Sequence, residues 1–244
     1  MTIAILSALP EEQAGWVDTL QDVRGTRHAG RQFWQGRWQG EGHGHDVVCA
    51  LSGIGKVAAA TTAAALIERF GATRIVFTGV AGGVGAGVQV GDVVVASEYL
   101  QHDLDASPLF PRWELPGYGR TRLACDPVMS AALHAASQAC VGSVARAHCG
   151  LVVSGDQFVG TAQASQALRA GLEAAGHAVL AVEMEGAAVA QTCHDYGVPF
   201  AAMRTISDRA DDSASVDFAA FVQTVASRYA QHILTGFLQR LPRG

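Results

Sequence analysis

The sequence predicts an α/β protein in which helices cover both faces of a largely parallel β-sheet. Short runs rich in apolar and β-branched residues alternate along the chain with longer, Ala-rich stretches, several of which stop at a glycine. Glycine commonly ends helices, and regular alternation of strand and helix signals is typical of βαβ units. The length of 244 residues suits one compact body, so we expect a single domain over residues 1–244.

The expected elements follow one another without a linker. Strands are expected where short β-prone runs occur, at residues 3–6, 45–51, 74–78, 92–96, 150–153, 178–182 and 200–205. Helices are expected where Ala-rich runs end at glycine, at residues 56–70, 162–175 and 185–196, and an amphipathic helix is expected to close the chain at 216–241. The aromatic-rich segment 31–39 is expected to form an early hairpin.

Composition indicates which class of ligand the protein binds and in which cellular compartment it is expected. The formal net charge is -5 and no cluster of Lys or Arg occurs, which argues against a nucleic-acid partner and favours a small molecule. No apolar run is long enough to span a bilayer, and the first strand carries no charged leader. The five cysteines are odd in number and form no C-x-x-C pair, so we expect a reduced, cytoplasmic protein without a metal site.

A glycine-rich stretch at residues 78–87 follows the third expected strand. Its backbone can approach a ligand closely, with Ala81 and Gly82 as candidate contacts. It contains no G-x-G-x-x-G frame, so it is not a dinucleotide-binding fingerprint. It is either a ligand-lining loop or a tight turn that reverses the chain.

Acidic residues follow two expected strands in the C-terminal third. Glu183 and Glu185 come after the run at 178–182, and Asp208 comes after the run at 200–205. Ligands of open α/β sheets bind at the carboxyl ends of strands, so we expect these carboxylates to face one site, as in an enzyme. The alternatives are that one glutamate caps the next helix and that Asp208 is an ordinary loop residue.

A third acidic element, Pro10-Glu11-Glu12, follows the first strand. Proline suits the first turn of a helix and acids there complement the positive end of the helix dipole. Helix initiation alone would therefore explain Glu12. A catalytic role is the alternative interpretation.

Seven short segments between the first strand and Phe218 form a specific set. They are Ala8-Leu9-Pro10-Glu11-Glu12, Ser52-Gly53-Ile54-Gly55-Lys56-Val57-Ala58-Ala59, residues 78–83, Val90-Gly91-Asp92, Val153-Ser154-Gly155-Asp156-Gln157-Phe158, Glu183-Met184-Glu185 and Ile206-Ser207-Asp208. In order and spacing this set resembles the 5'-methylthioadenosine/S-adenosylhomocysteine nucleosidases of the nucleoside phosphorylase superfamily. The resemblance implies a three-layer αβα sandwich around a mixed, twisted sheet, and a homodimer.

The resemblance also implies roles for single residues. Glu12 would activate water as general base, Asp208 would protonate adenine at N7, and Glu185 would hold the ribose hydroxyls. The other residues implied in substrate binding are Ser207, which orients Asp208; Met184 and Glu183 beside the ribose; Phe158 and Val159 at the base; Ile54 and Phe218 at the alkylthio group; and Leu109, which reaches into the partner subunit's site.

These residue types suit cleavage of an N-glycosidic bond. A purine leaves readily once it is protonated, and burial and neighbouring carboxylates can raise the pKa of a general acid to the range where it holds a proton. Nearby negative charge stabilises an oxocarbenium-like transition state. The expected reaction is hydrolysis of 5'-methylthioadenosine and S-adenosylhomocysteine to adenine and the 5-substituted ribose, in methionine salvage, without a metal or organic cofactor.

Three alternatives remain open. A phosphorylase would bind phosphate with arginines, whereas the loop 9–12 is acidic and no arginine directly precedes the glycines at 79–83. A futalosine or aminodeoxyfutalosine hydrolase would differ at the 5' end of its substrate; Val80, where the bacterial nucleosidases commonly have serine, and the loop 102–113 both depart from the family pattern. A non-catalytic nucleoside-binding protein of the same fold would bind without releasing the base.

Overall fold

A ten-stranded mixed β-sheet lies between layers of helices. The computed structural model describes residues 1–221 and 225–241. The strands are β1 (Thr2–Ser7), β2 (Gln21–His28), β3 (Arg31–Gln39), β4 (Gly44–Leu51), β5 (Ala72–Gly83), β6 (Val93–Gln101), β7 (Leu123–Ala124), β8 (Ala147–Ser154), β9 (Val179–Glu183) and β10 (Phe200–Asp208). The helices are α1 (Lys56–Glu68), α2 (Pro127–Val141), α3 (Ala162–Ala174), α4 (Gly186–Tyr196), α5 (Ala214–Phe221) and α6 (Ser227–Arg240), with short 3-10 helices at Pro10–Glu12 and Val17–Thr19.

Two blocks of parallel strands run in opposite directions. β4, β1, β5 and β10 are parallel in the first block, and β3 and β2 extend its edge as antiparallel strands. β6, β8 and β9 are parallel in the second block. The blocks meet through the antiparallel pairs β10–β6 and β5–β9. Because β10 also pairs with β5, the strands β10, β6, β8, β9 and β5 form a closed ring. The sheet is therefore mixed rather than largely parallel.

Helices cover both faces because both faces are apolar. α1 and α4 pack on each other over one face, and α2 and α6 pack on each other over the opposite face. In β5 the neighbours Val76 and Phe77 are both fully buried, Val76 in the core beneath α2 and α6 and Phe77 in the core beneath α1 and α4. Successive side chains of a strand point to opposite faces, which explains why this strand is a continuous apolar run.

Most expected elements are confirmed. Each of the seven expected strands overlaps an observed strand, and the helices expected at 56–70, 162–175 and 185–196 are α1, α3 and α4. The closing helix expected at 216–241 is observed as α5 and α6, while residues 222–224 lie outside the described part of the chain. Helix α2 was not expected, although its Asp126 side chain caps it by accepting the Met129 N–H at 2.8 Å. No helix within residues 1–221 and 225–241 is long and apolar enough to cross a bilayer.

The prediction of a hairpin at residues 31–39 is wrong. This segment is the single strand β3, which pairs with β2 on one side and β4 on the other. The chain reverses before it, at Ala29 and Gly30, which have φ values of 47° and 77°. Strand β2 was not predicted, because it is a polar edge strand that is exposed at nearly every residue and therefore has no apolar pattern in its sequence.

The turn considered for the glycine-rich stretch occupies only its end, where the Val88 N–H donates to the Gly85 carbonyl at 3.3 Å. Residues up to Gly83 continue strand β5, and its glycines leave room for side chains that approach the strand backbone. A Cβ at Gly79 would lie 2.9 Å from Glu12 Oε1, and a Cβ at Gly82 would lie 3.0 Å from Asp208 Oδ1. Glycine at these positions is thus what allows two carboxylates to lie against β5.

Candidate active site

A cavity of about 290 Å³ opens where β5, β9 and β10 end. β5 and β9 run antiparallel but pair only through Gly82 with Val182 and Gly83 with Ala181, so their carboxyl ends lie side by side. The cavity brings together every predicted site residue except Leu109. Those lining it are Glu12, Ile54, Ala81, Gly82, Phe158, Val159, Glu183, Met184, Glu185, Ser207, Asp208 and Phe218.

Glu12 projects from the 3-10 helix after β1 and is held by backbone donors. Its Oε2 accepts the N–H groups of Ala8 at 2.8 Å and Leu9 at 2.9 Å, and its Oε1 accepts the Val80 N–H at 3.1 Å. Burial raises the pKa of Glu12, and these N–H donors and the positive charge of Arg204 reduce the shift. The carboxylate is thus fixed in place and more basic than an exposed glutamate.

Asp208 ends β10 and is buried beside Gly82. Its Oδ2 accepts the Ser207 hydroxyl at 2.8 Å, and its Oδ1 accepts the Ala210 N–H at 2.8 Å. Burial raises the pKa of Asp208, the two donors oppose the rise, and the charges of Asp211 and Asp217 add to it. A carboxyl of this kind can carry a proton at a pH where an exposed aspartate is ionised.

Glu185 follows β9 at the start of α4, but its side chain does not cap that helix. Its Oε1 instead accepts the Gly55 N–H at 2.8 Å, from the loop that joins β4 to α1. Burial and the neighbouring charge of Glu183 raise the pKa of Glu185 to about 8, although the Gly55 N–H and Arg204 lower it. The second carboxylate oxygen accepts no hydrogen bond within the described part of the chain and is available to a ligand.

Glu183 differs from Glu185 in being saturated with protein donors. Its oxygens accept the N–H groups of Glu185 at 3.2 Å and Gly186 at 2.9 and 3.0 Å, which makes it the capping glutamate of α4. They also accept the Ser154 hydroxyl and the Arg204 guanidinium, with Nη2 at 2.5 Å and Nε at 3.2 Å. Glu183 therefore lines the cavity with a carboxylate that is already occupied.

Arg204 is a buried residue beside the cavity to which the sequence assigned no role. It is 1% exposed in the middle of β10, and its guanidinium carbon lies 4.0 Å from the centre of the Phe77 ring. Burial alone would lower the pKa of Arg204, but the acidic groups around it, Tyr99 and Glu183 foremost, raise it, so it stays charged. A charged residue inside the apolar run of β10 was the available signal.

The rest of the cavity is largely apolar. The rings of Phe158 and Phe218 meet edge to face with centroids 6.0 Å apart. Val80 and Ala226 form a small buried cluster against which Phe218 also packs. A planar, weakly polar ligand fits such walls.

Leu109 does not contribute to the cavity of its own chain. It lies in the loop between β6 and β7 and is 83% exposed. Within residues 1–221 and 225–241, no group of three or more His, Cys, Asp or Glu side chains is arranged to hold a metal ion.

Comparisons with known proteins identify the family to which the chain belongs. Residues 2–239 match the model of the phosphorylase superfamily. The 5'-methylthioadenosine/S-adenosylhomocysteine nucleosidase of Shewanella denitrificans is 35% identical over 227 residues, which are 91% of this chain and 92% of the relative.

Solved structures place the fold in the same group. The nucleosidase of the same name from Neisseria meningitidis, solved with methylthio-immucillin-A, is 33% identical and superimposes with a TM-score of 0.89 over 98% of this chain and 99% of its own. The futalosine hydrolase of Helicobacter pylori is 30% identical, with a TM-score of 0.88 over 99% of this chain and 98% of its own. The chain therefore belongs to the phosphorylase superfamily and has its nucleoside phosphorylase-like fold, and within it to the 5'-methylthioadenosine/S-adenosylhomocysteine nucleosidases that its sequence resembles.

Proposed function

We propose that this protein hydrolyses the N-glycosidic bond of 5'-substituted adenosines, with 5'-methylthioadenosine and S-adenosylhomocysteine as substrates. The observation that carries the proposal is the convergence of Glu12, Glu185 and Asp208 on one cavity, each with a raised pKa. A site that only bound nucleosides would need neither a protonated acid nor a held base. The names of the relatives support the same reaction.

Asp208 serves as the general acid. Its raised pKa allows it to carry the proton that it gives to N7 of adenine, and Ser207 holds the carboxyl in one orientation. The bond between N9 and C1' of the ribose then breaks, and its electron pair leaves with the protonated base. Ala81 and Gly82 of β5, with Phe158 and Val159, wall the base.

Glu12 serves as the general base. A water molecule attacks C1', and Glu12 takes the proton that this water loses, which gives adenine and the 5-substituted ribose. The backbone donors of Ala8, Leu9 and Val80 hold the carboxylate still during the transfer. General acid and base catalysis of this type each contribute about 10²- to 10⁴-fold.

Glu185 binds the ribose hydroxyls through the oxygen that no described residue occupies, beside the Met184 backbone. Accepting hydrogen bonds from a diol favours the ionised carboxylate, so ribose binding lowers the pKa of Glu185 from about 8. The negative charge then stabilises the positive charge that develops on the sugar. Glu183 acts on the ribose indirectly, since its own oxygens are taken up by Arg204 and the start of α4. Ile54 and Phe218 take the alkylthio group.

Water is favoured over phosphate by the charges of the cavity. Its ionisable lining residues, within the described chain, are all acids: Glu12, Glu183, Glu185 and Asp208. Arg204 is close, but its Nε and Nη2 bind Glu183 and its Nη1 donates to the Met203 carbonyl at 3.3 Å. A phosphate dianion would meet carboxylates without a free guanidinium to hold it.

The fold similarity to a futalosine hydrolase supports a second candidate function, in which the same chemistry acts on a different 5' substituent. Val80 gives the cavity an apolar contact to Phe218 where a serine hydroxyl would be polar. The acid, the base and the ribose contact would be unchanged.

We also propose a cytoplasmic homodimer that acts in methionine salvage. All five cysteines are free thiols, as suits a reducing compartment. Leu109 is 83% exposed and Ile54, although it lines the cavity, is 56% exposed. A partner subunit would cover both if each loop 102–113 reached across to the other site.

The first prediction is that the protein releases free adenine from 5'-methylthioadenosine in phosphate-free buffer. The released adenine is measured by chromatography. S-Adenosylhomocysteine and aminodeoxyfutalosine run in parallel, and their relative rates rank the 5' substituents, while inosine, which carries hypoxanthine, tests the preference for the base. Turnover of aminodeoxyfutalosine alone would favour the second candidate. A strict requirement for phosphate would contradict hydrolysis, and tight binding of adenine without any turnover would favour a binding protein.

The second prediction concerns Asp208 and Glu12. Asp208→Asn and Glu12→Gln should each lower kcat by about 10²- to 10⁴-fold, because each keeps the shape of the side chain and removes the proton transfer. The measurement is single-turnover hydrolysis of 5'-methylthioadenosine, with thermal unfolding to verify that both variants fold.

Matched controls are available for both variants. Glu11→Gln changes the exposed neighbour of Glu12, and Asp22→Asn changes an exposed aspartate at φ 54°, a conformation that Asn tolerates. Both should retain the wild-type rate. A near-normal rate for Asp208→Asn or Glu12→Gln would remove that residue from its role.

The third prediction follows from the pKa of Glu185. Because this value is about 8 in the folded protein and 4.5 is the ordinary value, the folded state binds the extra proton, and stability falls as pH rises between these values. Glu185→Gln removes this loss, so its advantage over the wild type in urea unfolding should grow between pH 5 and pH 8, by on the order of 3 kcal/mol. An advantage that is the same at both pH values would mean that Glu185 titrates normally.

The fourth prediction tests the homodimer. Sedimentation velocity should show a species of twice the 25.4 kDa chain mass, and Leu109→Asp should shift it toward the monomer, because a charge would be buried at the contact. Val144→Asp, at a residue that is 91% exposed, is the control and should leave the dimer intact. A fully active monomer would contradict the proposal.

A further inference from the structure

The loop 52–56 supplies the Gly55 N–H that holds Glu185, and this loop depends on supports outside the cavity. Gly55 has a φ of 98°, which glycine adopts without strain, and a Cβ there would lie 3.2 Å from Asp156 Oδ1. The position of the Gly55 N–H is therefore tied to the backbone around it and to Asp156. Any movement of this loop would change the donor that orients Glu185.

Asp156 closes a cycle of hydrogen bonds that joins three segments. Its Oδ1 accepts the Lys56 N–H at 2.8 Å, and its own N–H donates to Asp103 Oδ2 at 2.9 Å. Lys56 Nζ completes the cycle by donating to Asp103 Oδ1 at 2.6 Å, and it also donates to Gln101 Oε1 at 3.1 Å. The loop 52–56, the end of β6 and the loop after β8 thus constrain one another.

Asp103 is the acceptor on which two of the hydrogen bonds of the cycle converge. Burial alone would raise the pKa of Asp103, but hydrogen bonds from Lys56 Nζ and the Asp156 N–H lower it, so Asp103 is charged. The side chains of Lys56 and Asp103 are 18% and 23% exposed. Asp156 itself is exposed, so the partly shielded pair of Lys56 and Asp103 is the more protected side of the cycle, and bonds to ionised partners are stronger than neutral ones.

The other end of the loop is held independently of Asp156. Arg31 Nε donates to the Ser52 carbonyl at 3.1 Å, and the Gly53 N–H donates to the Ala8 carbonyl at 3.1 Å. These contacts fix the start of the loop next to the Glu12 segment. The end of the loop, at Gly55 and Lys56, is the part that Asp156 holds.

We propose that Asp156 is a positioning residue for ribose binding: by accepting the Lys56 N–H it keeps the Gly55 N–H on Glu185 and so sets the carboxylate that receives the ribose hydroxyls. This inference rests on the proposed role of Glu185. Asp156 itself is not among the residues that line the cavity. Its oxygen, rather than its charge, is what the Lys56 N–H requires.

Removal of that oxygen has a definite consequence for Glu185. The Gly55 N–H stabilises the ionised carboxylate, and its displacement would leave Glu185 both less well oriented and more readily protonated. The contact between protein and sugar would weaken. Contacts to the base alone would change less, although Asp156 precedes Phe158 by two residues.

The test compares two ligands that differ only in the sugar. 5'-Methylthiotubercidin is a nucleoside whose base has carbon in place of N7, so Asp208 has no nitrogen there to protonate, and 7-deazaadenine is its free base. Their dissociation constants are measured by calorimetry at pH 7 for the wild type and for Asp156→Ala, Asp156→Asn and Asp46→Ala. Asp46→Ala is the control, because Asp46 pairs with Arg37 at an exposed position in β4.

Asp156→Ala should weaken binding of the nucleoside about tenfold more than binding of the free base, which is the factor that one hydrogen bond typically controls. Asp156→Asn, which keeps the acceptor oxygen, should restore most of the difference, and Asp46→Ala should have no effect. Equal losses for the two ligands, or no loss, would overturn the inference. So would an Asp156→Asn variant as weak as Asp156→Ala, since charge rather than the acceptor would then act.

The experiments distinguish failure of this inference from failure of the proposed function. The binding comparison needs no turnover, so it stands even if the wild type releases no adenine. Conversely, a wild type that releases adenine while Asp156→Ala binds both ligands normally would leave the reaction intact and remove Asp156 from it.

Discussion

The buried ion pair between Arg204 and Glu183 is the interaction on which the site depends. Arg204 lies in the middle of β10, Glu183 ends β9, and Phe77 of β5 packs on the guanidinium at 4.0 Å. The pair thus ties together the three strands whose ends form the cavity. It also places a positive charge near Glu12 and Glu185, where it lowers the pKa of both carboxyls against the effect of their burial.

A pair buried this deeply is stabilising only when its groups are fully hydrogen-bonded. Removing one partner of such a pair typically costs about 3–5 kcal/mol, because the other charge stays buried without a partner. Glu183 meets this requirement through Ser154 and the first N–H groups of α4, so the ion pair also fixes where that helix begins. Glu185 lies directly before the same helix, so this arrangement also positions Glu185.

Much of the site could be predicted from sequence, but partly for a different geometric reason. The carboxylates after β9 and β10 were expected to converge as the ends of parallel strands. The two strands belong to oppositely directed blocks, and they converge because β5 pairs with β9 only through its last glycines while it pairs with β10 along its length. Sequence patterns report strand ends well, whereas strand direction depends on contacts between distant segments. For the same reason Arg204 was missed, since its partner Glu183 is 21 residues away.

Glu183 and Glu185 are separated by one residue but differ in their surroundings: the first is bound by the protein, and the second is available to a ligand. Glu183 accepts hydrogen bonds from several protein donors, and its charge is compensated by Arg204. Glu185 receives one described donor, Gly55, and its pKa is raised to about 8. A buried carboxylate that lacks donors gains more from a ligand that supplies them than one that is already satisfied. The sugar of a nucleoside offers two adjacent hydroxyls, so the under-satisfied glutamate, and not its saturated neighbour, is the one whose binding energy the substrate can use.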